Sequence, residues 1–167
     1  MGQKKEMTVF LVDDDPLFLA ALQHFLSIGN TPRLKIKTFD TGEACLQEIG
    51  QEPDIIILDY YLNSLVPNAI NGIAILKKII SSHPHIPVIM VSSQDNVEIA
   101  LDILKNGAFE YVSKSESAFL RIENIIMNIN RHIENIDSIS KKIALGKTIN
   151  IILLILFIAL FIISRIV

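Results

Sequence analysis

The sequence predicts an α/β fold built on a parallel sheet with helices on both faces. Two observations predict it. Three short apolar runs each end on a polar residue: Phe10-Leu11-Val12 on Asp13-Asp14-Asp15, Ile55 to Leu58 on Asp59, and Val88 to Val91 on Ser92. Runs of this length, bounded by turn signals, are strands buried on both faces, as in parallel sheets. Strand-like and helix-like segments also alternate strictly through five units. Open sheets of this kind place their chemistry at the carboxyl ends of the strands, so Asp13, Asp14, Asp59 and Ser92 arrive at one edge. Carboxylates packed together resist joint ionisation unless a hard cation neutralises them. The pattern therefore points to a Mg²⁺ site with an acceptor aspartate.

After the first strand, Pro16 suits the opening position of a helix and Asp15 suits its cap. Leu17, Ala20, Ala21, Leu22, Phe25 and Leu26 form the apolar stripe of that helix, which ends near Gly29 and Asn30. Leu34 to Phe39 alternates apolar residues with Lys35 and Lys37, the pattern of an edge strand guarded by charge. A helix over Thr41 to Ile49 follows, closed by Gly50. Asp54 to Leu58 is a strand and Gly72 to Ile80 a helix. Ile86 to Val91 is a strand, Asn96 to Lys105 a helix ended by Gly107, and Glu110 to Ser113 a short strand. A fifth helix begins near Ala118, with Ser115 or Ser117 as its cap.

The composition bounds the function. The 167 residues allow one ordinary domain plus something small. A net charge of −3 with no basic or aromatic-basic patch gives no support for nucleic-acid binding. Cys45 is the single cysteine, so no intramolecular disulfide exists; it reads as a small half-buried helix residue. His24, His83, His85 and His132 lack metal-ligand spacing and read as surface or edge residues. Met1 to Met7 has no apolar core of the length a secretion signal needs, which places the globular part in the cytoplasm.

The fifth helix has no visible stop. Ile122, Ile129, Ile136 and Ile143 recur every seven residues, with Ile125 and Ile139 at the companion position and His132 between them. Two readings follow: a short coiled coil joining two copies into a homodimer, or a helix that packs first on the sheet and continues as a linker. From Thr148 to Ser164 the chain carries no charge. At 1.5 Å per residue this spans roughly 26 Å, at the short limit for a hydrocarbon core of about 30 Å. Lys147 and Arg165 can snorkel. Lys141, Lys142 and Lys147 precede the segment and only Arg165 follows, so the positive-inside rule keeps the N-terminal side in the cytoplasm. The expected organisation is a globular domain over 7–132, a helical linker or short coiled coil over 133–147, and a transmembrane anchor over 148–166.

Taken together, Asp13, Asp14, Asp59, Ser92 and Lys114, with Tyr111 as a sixth position, resemble the receiver domain of two-component response regulators from Val9 to about Arg131. The resemblance implies a flavodoxin-like sheet of order 2-1-3-4-5, with the crevice between the first and third strands beside Asp13, Asp14 and Asp59. It implies Mg²⁺ held by Asp13, Asp14, Asp59 and the backbone carbonyl of Tyr61. Asp59 would be the phosphoacceptor, supplied by a histidine kinase or phosphotransfer protein. Lys114 and Ser92 would meet the phosphoryl oxygens, and Tyr111 would be the aromatic that turns inward behind Ser92. Three departures stand out: Ser115 where the family usually has proline, a long segment from Tyr60 to Asn71, and the apolar tail.

The implied function is a regulatory phosphoacceptor, not an enzyme, acting through protein-protein contact at a membrane with an unidentified downstream protein. Two alternatives keep different parts of the pattern. One is a membrane scaffold with the same fold and no phosphorylation. The other is a phosphatase of the haloacid dehalogenase type, because Asp13 and Asp15 also form a DxD pattern after a strand.

Overall fold

The structure, a computed structural model, describes residues 6–29, 33–62, 71–94 and 96–166, with side chains described as far as Leu154. Among the described residues five strands alternate with five helices: β1 (Met7–Val12), α1 (Pro16–Ile28), β2 (Leu34–Phe39), α2 (Gly42–Glu48), β3 (Ile55–Asp59), α3 (Gly72–Ser82), β4 (Val88–Ser92), α4 (Val97–Lys105), β5 (Glu110–Ser113) and α5 (Ala118–Ile166). A 3-10 turn, Ile49–Gln51, extends α2. The strands pair in parallel in the order β2-β1-β3-β4-β5, as the receiver resemblance implies.

Burial explains this order. Every residue of β3 and β4 is buried, and β1 is buried except at Thr8, so these three strands need helices on both faces and occupy the interior of the sheet. In β2, Lys35 and Thr38 are exposed, which suits an outer position. Lys37 is tied down by Glu48 Oε2 at 3.1 Å and Gln51 Oε1 at 2.7 Å. Ile56, Leu58, Val88 and Met90 meet Ile75, Leu76 and Ile79 of α3 in the core. Cys45 is fully buried there, deeper than its position on a short helix suggested.

The caps fall where short polar side chains precede the helices. Asp15 accepts from the N–H groups of Leu17 and Phe18, Thr41 from Ala44, Asn71 from Ala74 and Asn96 from Glu98. The cap on α1 sets the phase of that helix and corrects the stripe read from the sequence. Leu19, Leu22 and Leu26 face the core, whereas Leu17 is 80% exposed and Ala20 and Ala21 are also outside. A helix fixed at Asp15 turns i, i+3 and i+7 from Leu19 inward, and Leu17 then falls on the opposite side.

The chain divides into two compact units, Met1–Met127 and Asn128–Val167. Within the first, Ile122, Ile125 and Ile126 of α5 are buried. The seven-residue seam changes character within the second, after Ile129. Ile129 is 6% exposed, but Ile136 is 69% exposed and Ile139 and Ile143 are exposed as well. α5 remains helical to Ile166. Among the described residues no helix is long and apolar enough to cross a membrane, so the transmembrane helix expected over 148–166 is not found there. The apolar run on which that expectation rests continues past Leu154, beyond the described side chains. Of the long Tyr60 to Asn71 segment, residues 63–70 also lie outside the described residues.

Candidate functional site

Parallel register assembles the site. Val12 pairs with Leu58, so the residues one step on, Asp13 and Asp59, stand side by side at the carboxyl ends of β1 and β3. Asp59 pairs with Val91, and Ser92 with Ser113, which brings Ser92 and Lys114 to the same edge. Backbone hydrogen bonds fix these ends: Tyr60 N–H to the Val91 carbonyl at 2.8 Å, and Lys114 N–H to the Ser92 carbonyl at 2.7 Å. Ser115 N–H donates to the Ser113 carbonyl at 2.8 Å, a bond that proline at that position could not make. Gly72, at the start of α3, donates to the Tyr60 carbonyl and passes so close that a Cβ there would lie 2.1 Å from the Asp59 carbonyl oxygen.

Asp13 is 2% exposed and Asp59 4%; Asp14 is half-buried. Asp13 Oδ1 accepts from Asp15 N–H at 3.0 Å, which aims the carboxyl across the site. Asp15 itself is exposed and committed to capping α1, so the DxD pair of a phosphatase is not assembled: the second carboxylate of that pattern turns onto its own helix. Lys114 Nζ lies 2.7 Å from Asp13 Oδ2 and 3.1 Å from Asp59 Oδ1. The ammonium is aligned on Asp13. Asp59 Oδ1, although within ion-pair distance, is the one fully buried side-chain oxygen without a well-directed hydrogen bond among the described residues.

The electrostatics follow from this crowding. Desolvation, then repulsion from Asp13, pushes Asp59 up to about 6, against the attraction of Lys114. Desolvation also raises Asp13, with Lys114 and the Asp15 N–H opposing. Burial acts to lower Lys114, but its hydrogen bond to Asp13 and the attraction of both carboxylates outweigh that and raise it. Carboxylate oxygens of Asp13, Asp14 and Asp59 lie within 4.8 Å of one another. Three hard oxygen donors, two of them buried and one with an unfilled hydrogen-bonding site, fit a small divalent cation such as Mg²⁺.

Ser92 is fully buried, and its Oγ accepts from Gln94 N–H at 3.2 Å. Tyr111 is buried, and its hydroxyl donates to the Gln94 carbonyl. A single residue, Gln94, thus links the hydroxyl at the end of β4 to the aromatic of β5. Tyr61 is half-buried with its ring edge-on to Tyr60, centroids 4.7 Å apart. The sequence did not single out Phe18, whose ring lies 4.4 Å from Lys114 Nζ. A phenylalanine in the first turn of a helix carries no signal that distinguishes it from core. At the opposite ends of the strands, His85 Nε2 reaches Glu52 Oε2 at 2.6 Å.

This fold and this acidic edge define a class. Residues 9–126 match the response regulator receiver domain, and the chain belongs to that family. Among curated relatives it is 28% identical over 111 residues to the nitrogen assimilation regulatory protein NtrX of Azorhizobium caulinodans, covering 66% of this chain and 23% of that one. To the DNA-binding transcriptional regulator NtrC of Escherichia coli it is 29% identical over 107 residues, covering 64% and 21%. The chain thus spans about a fifth of the length of these relatives. The signal receiver domain of a Luxo repressor protein from Vibrio parahaemolyticus shares the fold, with a TM-score of 0.68 at 22% identity over 81% of this chain and 98% of that one. The domain is a regulatory phosphoacceptor and not an enzyme.

Proposed function

We propose that Asp59 is the phosphoacceptor of a two-component phosphorelay. The observation that carries this reading is the buried Asp59 Oδ1 without a directed hydrogen bond, beside a lysine already 3.1 Å away. With no well-directed hydrogen bond on it, this oxygen keeps lone pairs for attack on phosphorus while the Lys114 ammonium stands alongside. The donor would be a phosphohistidine of a histidine kinase or a phosphotransfer protein. Its N–P bond breaks and an O–P bond forms on Asp59; the electron pair stays on the imidazole nitrogen, which is protonated. Asp13, Asp14 and Asp59, with the Tyr61 carbonyl, would hold Mg²⁺, whose charge offsets that of the phosphoryl oxygens. Lys114 contributes a point charge to those oxygens, and the Ser92 hydroxyl can rotate to donate to them. Because Gln94 bridges Ser92 and Tyr111, a pull on Ser92 reaches β5. In Asp59→Asn, base-labile phosphate incorporation from a small phosphodonor with Mg²⁺ should vanish; undiminished label on that variant refutes the assignment.

We infer further that residues 148–166 anchor the chain in a membrane, with the receiver domain in the cytoplasm and output by contact with another protein. Supporting this are the uncharged run from Thr148 to Ser164, the helical course of α5 through it, and the excess of lysine before it. The full chain should sediment with membranes and require detergent for extraction. Recovery in the soluble fraction overturns the anchor without touching the Asp59 reading.

A further inference from the structure

Lys114 has a third partner that is not a carboxylate. Its ammonium sits 4.4 Å from the centroid of the Phe18 ring. That ring is itself held from two sides. Asp15 Oδ1 accepts from Phe18 N–H at 3.3 Å, fixing the backbone at the start of α1. Phe119, in the first turn of α5, meets Phe18 nearly edge-on, centroids 5.4 Å apart and planes at 70°, and also contacts Phe25 at 5.6 Å.

We propose that Phe18 is a positioning residue for Lys114: its ring face seats the ammonium at the acceptor edge while leaving its charge available. The proposal rests on the Asp59 reading. A carboxylate that holds the ammonium also competes with phosphoryl oxygens for it, and both carboxylate partners of Lys114 are the acidic residues of the site itself. A ring face attracts the cation through its quadrupole but forms no hydrogen bond that must be broken, so the ammonium can turn from Asp13 to an incoming oxygen without leaving its seat. Ordering a four-carbon side chain in advance removes an entropic cost that phosphoryl transfer would otherwise meet. Phe119 braces the ring, so the seat is built jointly by α1 and α5.

The test compares Phe18→Leu, which keeps an apolar side chain without a ring, with Phe18→Tyr, which keeps the ring, in the full chain. Two quantities are read: the Lys114 ε-methylene proton shift, assigned by its loss in Lys114→Arg, and the rate of phosphate incorporation from acetyl phosphate with Mg²⁺. The ring should move the ε-methylene resonance upfield in the natural chain and in Phe18→Tyr, and the shift should disappear in Phe18→Leu. Incorporation should slow about two- to fivefold in Phe18→Leu, the worth of an exposed to partly buried cation–π contact, and recover in Phe18→Tyr. A generic packing role would slow both variants without a resonance difference between them. An unshifted Lys114 resonance in the natural chain, an undiminished rate in Phe18→Leu, or equal slowing in both variants overturns the proposal. If the natural chain takes no phosphate, the Asp59 reading falls, and the resonance alone decides whether Phe18 seats Lys114.

Discussion

Lys114 donates to Asp13 Oδ2 at 2.7 Å, a closer contact than the 3.1 Å it makes with Asp59 Oδ1. One ammonium thus serves two buried carboxylates, and its first commitment is to the residue that is not the proposed acceptor. Removing it leaves both without their cation. In Lys114→Met, unfolding free energy should fall by roughly 3 kcal/mol at pH 8, the scale for breaking a buried pair, and by less at pH 5, where Asp59 is mostly protonated. Urea midpoints at the two pH values, without divalent cations, check this; an equal loss at both would show that the charge of Asp59 is not involved.

The raised pKa of Asp59 has its own signature. Its folded value of about 6 exceeds the ordinary aspartate value of 3.8, so the folded state binds the proton more tightly than the unfolded state. The sign is therefore the reverse of a salt-bridged aspartate: stability is greatest below pH 4 for this group and is lost as pH rises through 6. Asp59→Asn should stabilise the domain at pH 7.5 by at most about 3 kcal/mol in the absence of metal, with the gain shrinking towards pH 4. Thermal melts across that range decide it, and a gain that grows towards acid pH would contradict the burial argument.

Gly72 is a tight point in the scaffold. A Cβ there would stand 2.1 Å from the Asp59 carbonyl oxygen and 2.9 Å from the Tyr60 Cα, both backbone atoms that cannot move without the strand end. Gly72→Ala should cost about 2 kcal/mol or more and impair phosphate incorporation together with stability. Gly50→Ala, where a Cβ meets nothing within 4 Å, serves as the control and should change stability by less than about 0.5 kcal/mol.

Along α5, Ile129 and Ile136 occupy the same seam position one heptad apart but differ more than tenfold in exposure, 6% against 69%. Ile129→Asn should lower the unfolding free energy by roughly 2–4 kcal/mol, whereas Ile136→Asn should leave the denaturation midpoint unchanged. Equal losses would mean that Ile136 is covered as Ile129 is.

The acidic edge was legible because each of its residues follows an apolar strand, and parallel register converts that sequence position directly into spatial proximity. Asp13, Asp59, Ser92 and Lys114 needed no side-chain detail to be brought together. The phase of α1 was less legible. Leu17, Ala20 and Ala21 match a helical period as well as Leu19, Leu22 and Leu26 do, and only the cap at Asp15 selects between them. Phe18 and Gln94 were hidden for a different reason. Their contacts join distant elements, and neither a ring in a helical first turn nor an amide after a strand carries a local mark of its partner. The regular spacing of the α5 isoleucines continued unchanged across the point where burial ends, because the pattern records which face they share and not what covers it.

Cys45 turns the interior of the domain into a practical asset. The only thiol in the chain is fully buried, and burial pushes it up to about 12, so in the folded protein it is both unreachable and un-ionised near neutral pH. Alkylating dyes and spin labels need an accessible thiolate. A cysteine introduced on the surface becomes the sole point of attachment in an otherwise native chain, and the rate at which Cys45 itself is labelled becomes a clock for transient opening of the core.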